Sequence, residues 1–130
     1  MIKKPVIYTL LNDSNISGMI GSRAWASQRE DDTLPAVVVS LISGETETAQ
    51  DGNHAPRQYR IQLLCYASTP GAVAQLADYI HTAFNGLSGS INGTDIDACF
   101  VVYESDLEGD LIPGKKEKVR VKQIDLEIHS

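Results

Sequence analysis

Glu104, Asp106, Glu108 and Asp110 recur at every second position, and Lys116, Lys118, Arg120 and Lys122 follow at the same spacing. Clustered carboxylates are what a hard cation such as calcium or magnesium would need. Alternate residues of a strand, however, stand ~6.5–7 Å apart, too far for one ion to gather several of them. The file reads instead as a solvated face whose counter-charges are the basic column. Other residues able to do chemistry are sparse. His54, His81 and His129 fall in a polar arm, a helical pattern and the C-terminal tail, with no pairing at metal-ligand spacing, and read as surface or boundary positions. Asp51-Gly52-Asn53 resembles the start of a calcium loop but lacks the remaining ligands and the closing Glu, so it reads as a turn. Ser88–Asp95 (SGSINGTD) has neither the spacing nor the lysine of a phosphate-binding loop and reads as a plain loop. No GxSxG or HExxH is present. The residues assemble no catalytic, cofactor-binding or metal site, and the expectation is a protein that is not an enzyme.

Composition narrows the classes further. The chain has 130 residues, 42% of them hydrophobic and 22% charged, which suits one globular domain over residues 1–130. A net charge of −6 disfavours a basic clamp on nucleic-acid phosphates. Cys65 and Cys99 lie inside apolar strand patterns and read as buried reduced thiols rather than a disulfide. The opening MIKKPVIYTLL has a short apolar run broken by Pro5, which fits neither a signal peptide nor a membrane span.

Periodicity supplies the elements. Pro5 opens a helix with Val6, Ile7, Leu10 and Leu11 on one stripe; Asn12–Asn15 breaks it and caps a second turn containing Ile16, Met19 and Ile20, stopped by Gly21. Arg23-Ala24-Trp25 reads as a short extended piece, with Trp25 as core or boundary packing. Leu34–Ile42 is β-branched and reads as a strand, with Pro35 first. Gln58–Ala67 alternates, with Tyr59, Ile61, Leu63 and Cys65 on one face and Arg60, Gln62, Leu64 and Tyr66 on the other. Thr69 and Pro70 open a long helix whose buried stripe is Val73, Leu76, Ala77, Ile80 and Phe84, ended by Asn85-Gly86. Strands from about Ile96 to Leu107 and Glu117 to Ile128 complete an α-α-β-β-α-β-β order. The expected class is α+β: a mainly antiparallel four-stranded sheet, with one long helix and a short N-terminal helical segment on one face.

Two details of the last hairpin can be anticipated. The expected connection is a five-residue loop, Leu111–Lys115, pairing Asp110 with Lys116, Glu108 with Lys118 and Asp106 with Arg120, because a two-residue Pro113-Gly114 turn would put the charge columns on opposite faces and leave four acids in file without counter-charges. The last strand also changes phase, from Val119 and Val121 to Ile124, Leu126 and Ile128. One continuously buried face needs a β-bulge near Lys122-Gln123, with Cys99, Val101 and Tyr103 then facing Ile128, Leu126 and Ile124.

Two features lie outside the core. The stretch GETETAQDGNHAPRQ, Gly44–Gln58, is a long polar arm between two strands, more than a small domain keeps without use. The second sheet face gathers Val38, Ile42, Leu64, Tyr66, Phe100 and Val102 around Arg60 and Gln62, more apolar surface than the helices can cover.

The order and spacing of these pieces resemble the tail-completion (tail-terminator-like) proteins of long-tailed bacteriophages. The match runs through PVIYTLLNDSNISGMIGSR, LPAVVVSLISGE, QYRIQLLCYASTPGAVAQLADYIHTAF and the C-terminal strand. The resemblance implies a structural virion protein, assembled in the bacterial host cytoplasm, that forms a ring, typically hexameric, at the head-proximal end of the tail. There it would stop tube growth and join tail to head. Implied partners are further copies of the chain, the tail tube protein and head–tail connector proteins, without a membrane. DNA would pass through the lumen unheld, which an acidic wall favours. Head-to-tail closure needs two different patches. The expected ones are the arm, with Glu47, Asp51, His54 and Arg57, and the sheet face, with Leu64, Tyr66 and Phe100. Another head–tail connector ring (adaptor or stopper) is the competing reading. A small-ligand-binding α+β domain is a third, but it needs convergent polar groups that the residues do not supply.

Overall fold

The structure, a computed structural model, describes residues 2–29, 33–45, 58–111 and 118–130. Pro5 lies in the first turn of helix α1 (Lys3–Asn12), where its missing N–H breaks no helical bond. Asp13 ends that helix and caps the next, α2 (Ser14–Ile20), its Oδ1 accepting from the amides of Asn15 at 3.0 Å and Ile16 at 3.1 Å. Gly21, at φ +60°, turns the chain out. Arg23 then donates to two carbonyls: Nε to Pro35 at 2.8 Å and Nη2 to Met19, near the end of α2, at 3.2 Å. This clamp sets β1 (Ala24–Ala26) parallel to β2 (Ala36–Glu45).

Strand β3 (Gln58–Ala67) runs antiparallel to β2 with the expected alternation: Ile61, Leu63 and Cys65 are fully buried, and Arg60, Gln62, Leu64 and Tyr66 are half-buried. Helix α3 (Pro70–Phe84) follows, with Thr69 Oγ1 accepting from the Ala72 amide at 3.1 Å. Its buried residues are Val73, Leu76, Ala77, Ile80 and Phe84, as the stripe predicts. A small hairpin, β4 (Gly89–Ile91) and β5 (Thr94–Ile96), leads into β6 (Ala98–Leu111), and β7 (Lys118–His129) closes the sheet. The strand order is β1-β2-β3-β7-β6. All three helices pack on one face, where Val6, Leu10, Ile16, Ile20, Leu76, Ile80 and Phe84 meet Val37, Val39, Ile61, Leu63, Leu126 and Ile128.

Several expectations are corrected. The sheet is mixed and five-stranded rather than antiparallel and four-stranded, because the three residues of β1 are too few to show alternation in sequence. Among the described residues the helical layer holds three helices, and α1 at ten residues is a full helix rather than a short segment. The SGSINGTD stretch is not a plain loop. Asn92 at φ +48° and Gly93 at φ +83° form a tight turn of the kind that Asn-Gly makes in two-residue hairpins. The β7 bulge is absent: β3 and β7 pair without a shift, so Val121 stands beside Tyr66 on the face opposite Ile124. The extra residues lie instead in the neighbouring strands, Ile42 in β2 and Val102 in β6. Cys99 and Val101 face Ile128 and Leu126 as expected, but the Val102 bulge turns Tyr103 to Asp125 and sets Glu104 opposite Ile124.

The last hairpin keeps acid against base in a different register. Asp106 pairs with Lys122 and Glu108 with Arg120, one pair along from expectation, after the shift that Val102 introduces. Residues 112–117, and with them Lys116 and the Pro113-Gly114 turn, lie outside the described residues, as does the arm over 46–57.

Candidate interaction surface

The face of the sheet away from the helices has an ionic centre and an apolar surround. Directly opposed residues share a face, so the ladder places Arg60, Gln62, Leu64 and Tyr66 of β3 together with Glu127, Asp125, Gln123 and Val121 of β7. From β6 the same rows receive Phe100, Tyr103, Ser105 and Leu107. Asp125, 7% exposed, is the one charged residue that is buried among the described residues. Arg60 supplies its counter-charge, Nη2 to Oδ2 at 3.0 Å, and Gln123 Nε2 donates to Oδ1 at 3.0 Å. Around this centre Phe100, Tyr103 and Leu107 are exposed at between 41% and 48%.

Of the sequence-predicted residues, Leu64 and Tyr66 are half-buried on this face, and the Arg29 guanidinium lies 4.6 Å from the Tyr66 ring centroid. Phe100 is exposed and meets His129 edge-on, centroids 6.3 Å apart. Val38 shares the face but is 3% exposed, so it is packing rather than contact surface. Trp25, level with Val38, is half-buried, and His81 is exposed. Glu47, Asp51, His54 and Arg57 lie outside the described residues. Where the arm's return strand begins, Gln58 donates to Glu127, and His129 Nε2 is 3.8 Å from Glu127 Oε2.

Two surfaces went unread in the sequence. A groove of about 330 Å³ is lined by Lys3, Lys4, Ile7, Tyr8, Ala26 and Asn92. At the opposite edge of the sheet a cleft of about 350 Å³ separates Pro70, Val73 and Ala74 from Asp106 and Lys122. Both depend on tertiary placement; the groove joins α1, β1 and the β4–β5 turn, three segments with no shared sequence pattern.

Reactive chemistry is not what these groups offer. Burial, reinforced by Glu104 and opposed by Lys122, pushes the Cys65 thiol up to about 12, and burial does the same to Cys99, so both free thiols stay protonated at neutral pH. Among the described residues no three His, Cys, Asp or Glu side chains converge as a metal site. Asp106, whose side chain is 83% exposed, is 3.7 Å from Lys122 Nζ, the pairing of a solvated charge column. No helix among the described residues is long and apolar enough to cross a membrane. The geometry offers a contact surface.

Comparison with known proteins agrees in kind. The profile described as tail completion protein gp17 matches residues 4–111. Among solved structures, a chain from the virion of a native gene transfer agent particle is similar, with a TM-score of 0.67 at 13% identity, over 95% of this chain and 90% of that one. At such identity the likeness concerns the fold. No curated protein matches.

Proposed function

The chain belongs to the tail completion protein gp17 family and is a structural component of a phage-like virion tail; from that premise we propose that it forms a ring, a hexamer, at the head-proximal end of the tail. The ring ends growth of the tail tube and joins tail to head. One observation carries this reading. Among the described residues the five-stranded sheet has helices on one face alone, and the other presents Phe100, Tyr103 and Leu107 exposed around a neutralised Arg60–Asp125 pair. A partly apolar face with its central charges already paired suits burial against another chain. This face, with Leu64 and Tyr66, and the arm carrying Glu47, Asp51, His54 and Arg57 are the surfaces that meet neighbouring subunits and tube protein. The net charge of −6 lets DNA pass the lumen without sticking.

Molar mass by light scattering over a wide concentration range, followed by imaging of the large species, tests the ring. A closed species of one size is expected, and growth without limit contradicts it. Copurification then places the ring. Capture of tube protein is the expected result, whereas capture of portal protein alone assigns the chain to another connector ring.

A further inference from the structure

Helix α1 lines the groove at the β1 edge with two adjacent rows. Lys3 and Ile7 form one and Lys4 and Tyr8 the other, each pair four residues apart and so neighbours on the helix surface. Ala26 of β1 and Asn92 of the β4–β5 turn complete the groove of about 330 Å³. Ile7 is half-buried, and Tyr8 is 45% exposed. Lys3 is held in place: its Nζ donates to Ser27 Oγ at 2.9 Å, where φ +74° turns the chain out of β1. Lys4 is exposed. Among the described residues neither lysine has an ion-pair partner, and no acidic residue lines the groove. Its sign is opposite to that of the chain, whose net charge is −6.

We propose that this groove binds a short acidic segment of another protein, one in which a bulky apolar side chain stands beside one or two carboxylates. The apolar side chain lies against Ile7, Tyr8 and Ala26 and leaves water there, while the carboxylates meet Lys3 and Lys4. The proposal rests on the reading of the chain as a tail component that meets other proteins, and it adds a surface separate from the sheet face and the arm. Charge complementarity and the apolar floor select the occupant together. DNA is held by a series of cations along its phosphates, which two lysines on an acidic chain do not provide, and it has no group for the apolar floor. A small metabolite needs several convergent polar groups; beyond the lysines the lining side chains offer the Asn92 amide and the Tyr8 hydroxyl. The chain's own acidic stretch, GETETAQD over 44–51, has carboxylates but no bulky apolar residue.

A displayed library of random peptides tests this with the folded wild-type chain as bait. Enriched peptides should carry Asp or Glu next to Leu, Ile or Phe. The most enriched one, synthesised with a fluorophore, is then titrated by anisotropy. Lys4→Glu should weaken its binding about tenfold, and added salt should weaken binding to the wild type. Ala26→Leu, which fills the groove without changing charge, should weaken it by a similar factor. Both positions are exposed, and circular dichroism checks that each variant folds. No enrichment, enrichment of basic or uncharged peptides, or binding indifferent to both substitutions overturns the proposal and leaves the tail reading untouched. A single-stranded oligonucleotide that binds the wild type and is released by Lys4→Glu assigns the lysines to phosphate and overturns it too. Peptide selection that responds to both substitutions, in a chain that neither forms rings nor binds tubes, keeps the groove and removes the ring.

Discussion

Cys65 and Cys99 have an ordinary thiol value of 9.0 when the chain is unfolded and about 12 when it is folded. The folded state thus holds these protons more tightly. Their contribution to stability is complete below pH 9 and falls as pH rises from 9 towards 12, by up to ~1.4 kcal/mol per pH unit for each thiol. Urea titrations at pH 8 and pH 10.5 should show the loss, and a Cys65→Ala/Cys99→Ala variant should show a flatter profile. A second residue-level expectation concerns Asp125. Arg60→Ala leaves a carboxylate that is 7% exposed with Gln123 as its remaining side-chain partner, and should cost roughly 1–3 kcal/mol in the same assay. Asp125→Asn should cost less, since the Arg60 side chain, 40% exposed, can regain water.

Helices and strands with strong local signals were legible in the sequence. The α3 stripe, the Thr69 and Asp13 caps and the alternation of β3 follow from spacing alone. What escaped depends on pairing between distant segments. Three residues of β1 carry no period, and their place in the sheet is set by the Arg23 clamp on Pro35 and Met19. The phase change in β7 is real, but burial of Val121 on the face away from the helices absorbs it, while Ile42 in β2 and Val102 in β6 take the bulges. The apolar side of the interaction surface was readable from alternation. The Arg60–Asp125 pair and the Lys4 groove were not, because each joins residues far apart in the chain. The β4–β5 turn was signalled by Asn92-Gly93 and overlooked. Gly93→Ala tests it. No neighbouring atom lies within 4 Å of the added Cβ, so the cost is that of φ +83°, about 1–2 kcal/mol by urea denaturation. Arg23→Ala should cost roughly 1.5–3 kcal/mol and speed hydrogen exchange first in β1 and the start of β2.

Assembly is a property of the whole molecule. Among the described residues, helices pack one face of the sheet and none packs the other. An uncovered sheet face with Phe100, Tyr103 and Leu107 exposed is what the proposed ring would bury against a neighbour. Deleting Glu47–His54 from the arm should leave the urea midpoint unchanged and block tail completion; normal tails from that variant would remove the arm from the account. The central claim is that the chain acts at one end of a tail, and locating it on tails tests this directly. Affinity-labelled protein would be added to tubes made without it and imaged by electron microscopy. The account predicts label at a single end of each tube, with tube length then fixed. Label spread along the tubes, or absent from both ends, would contradict it.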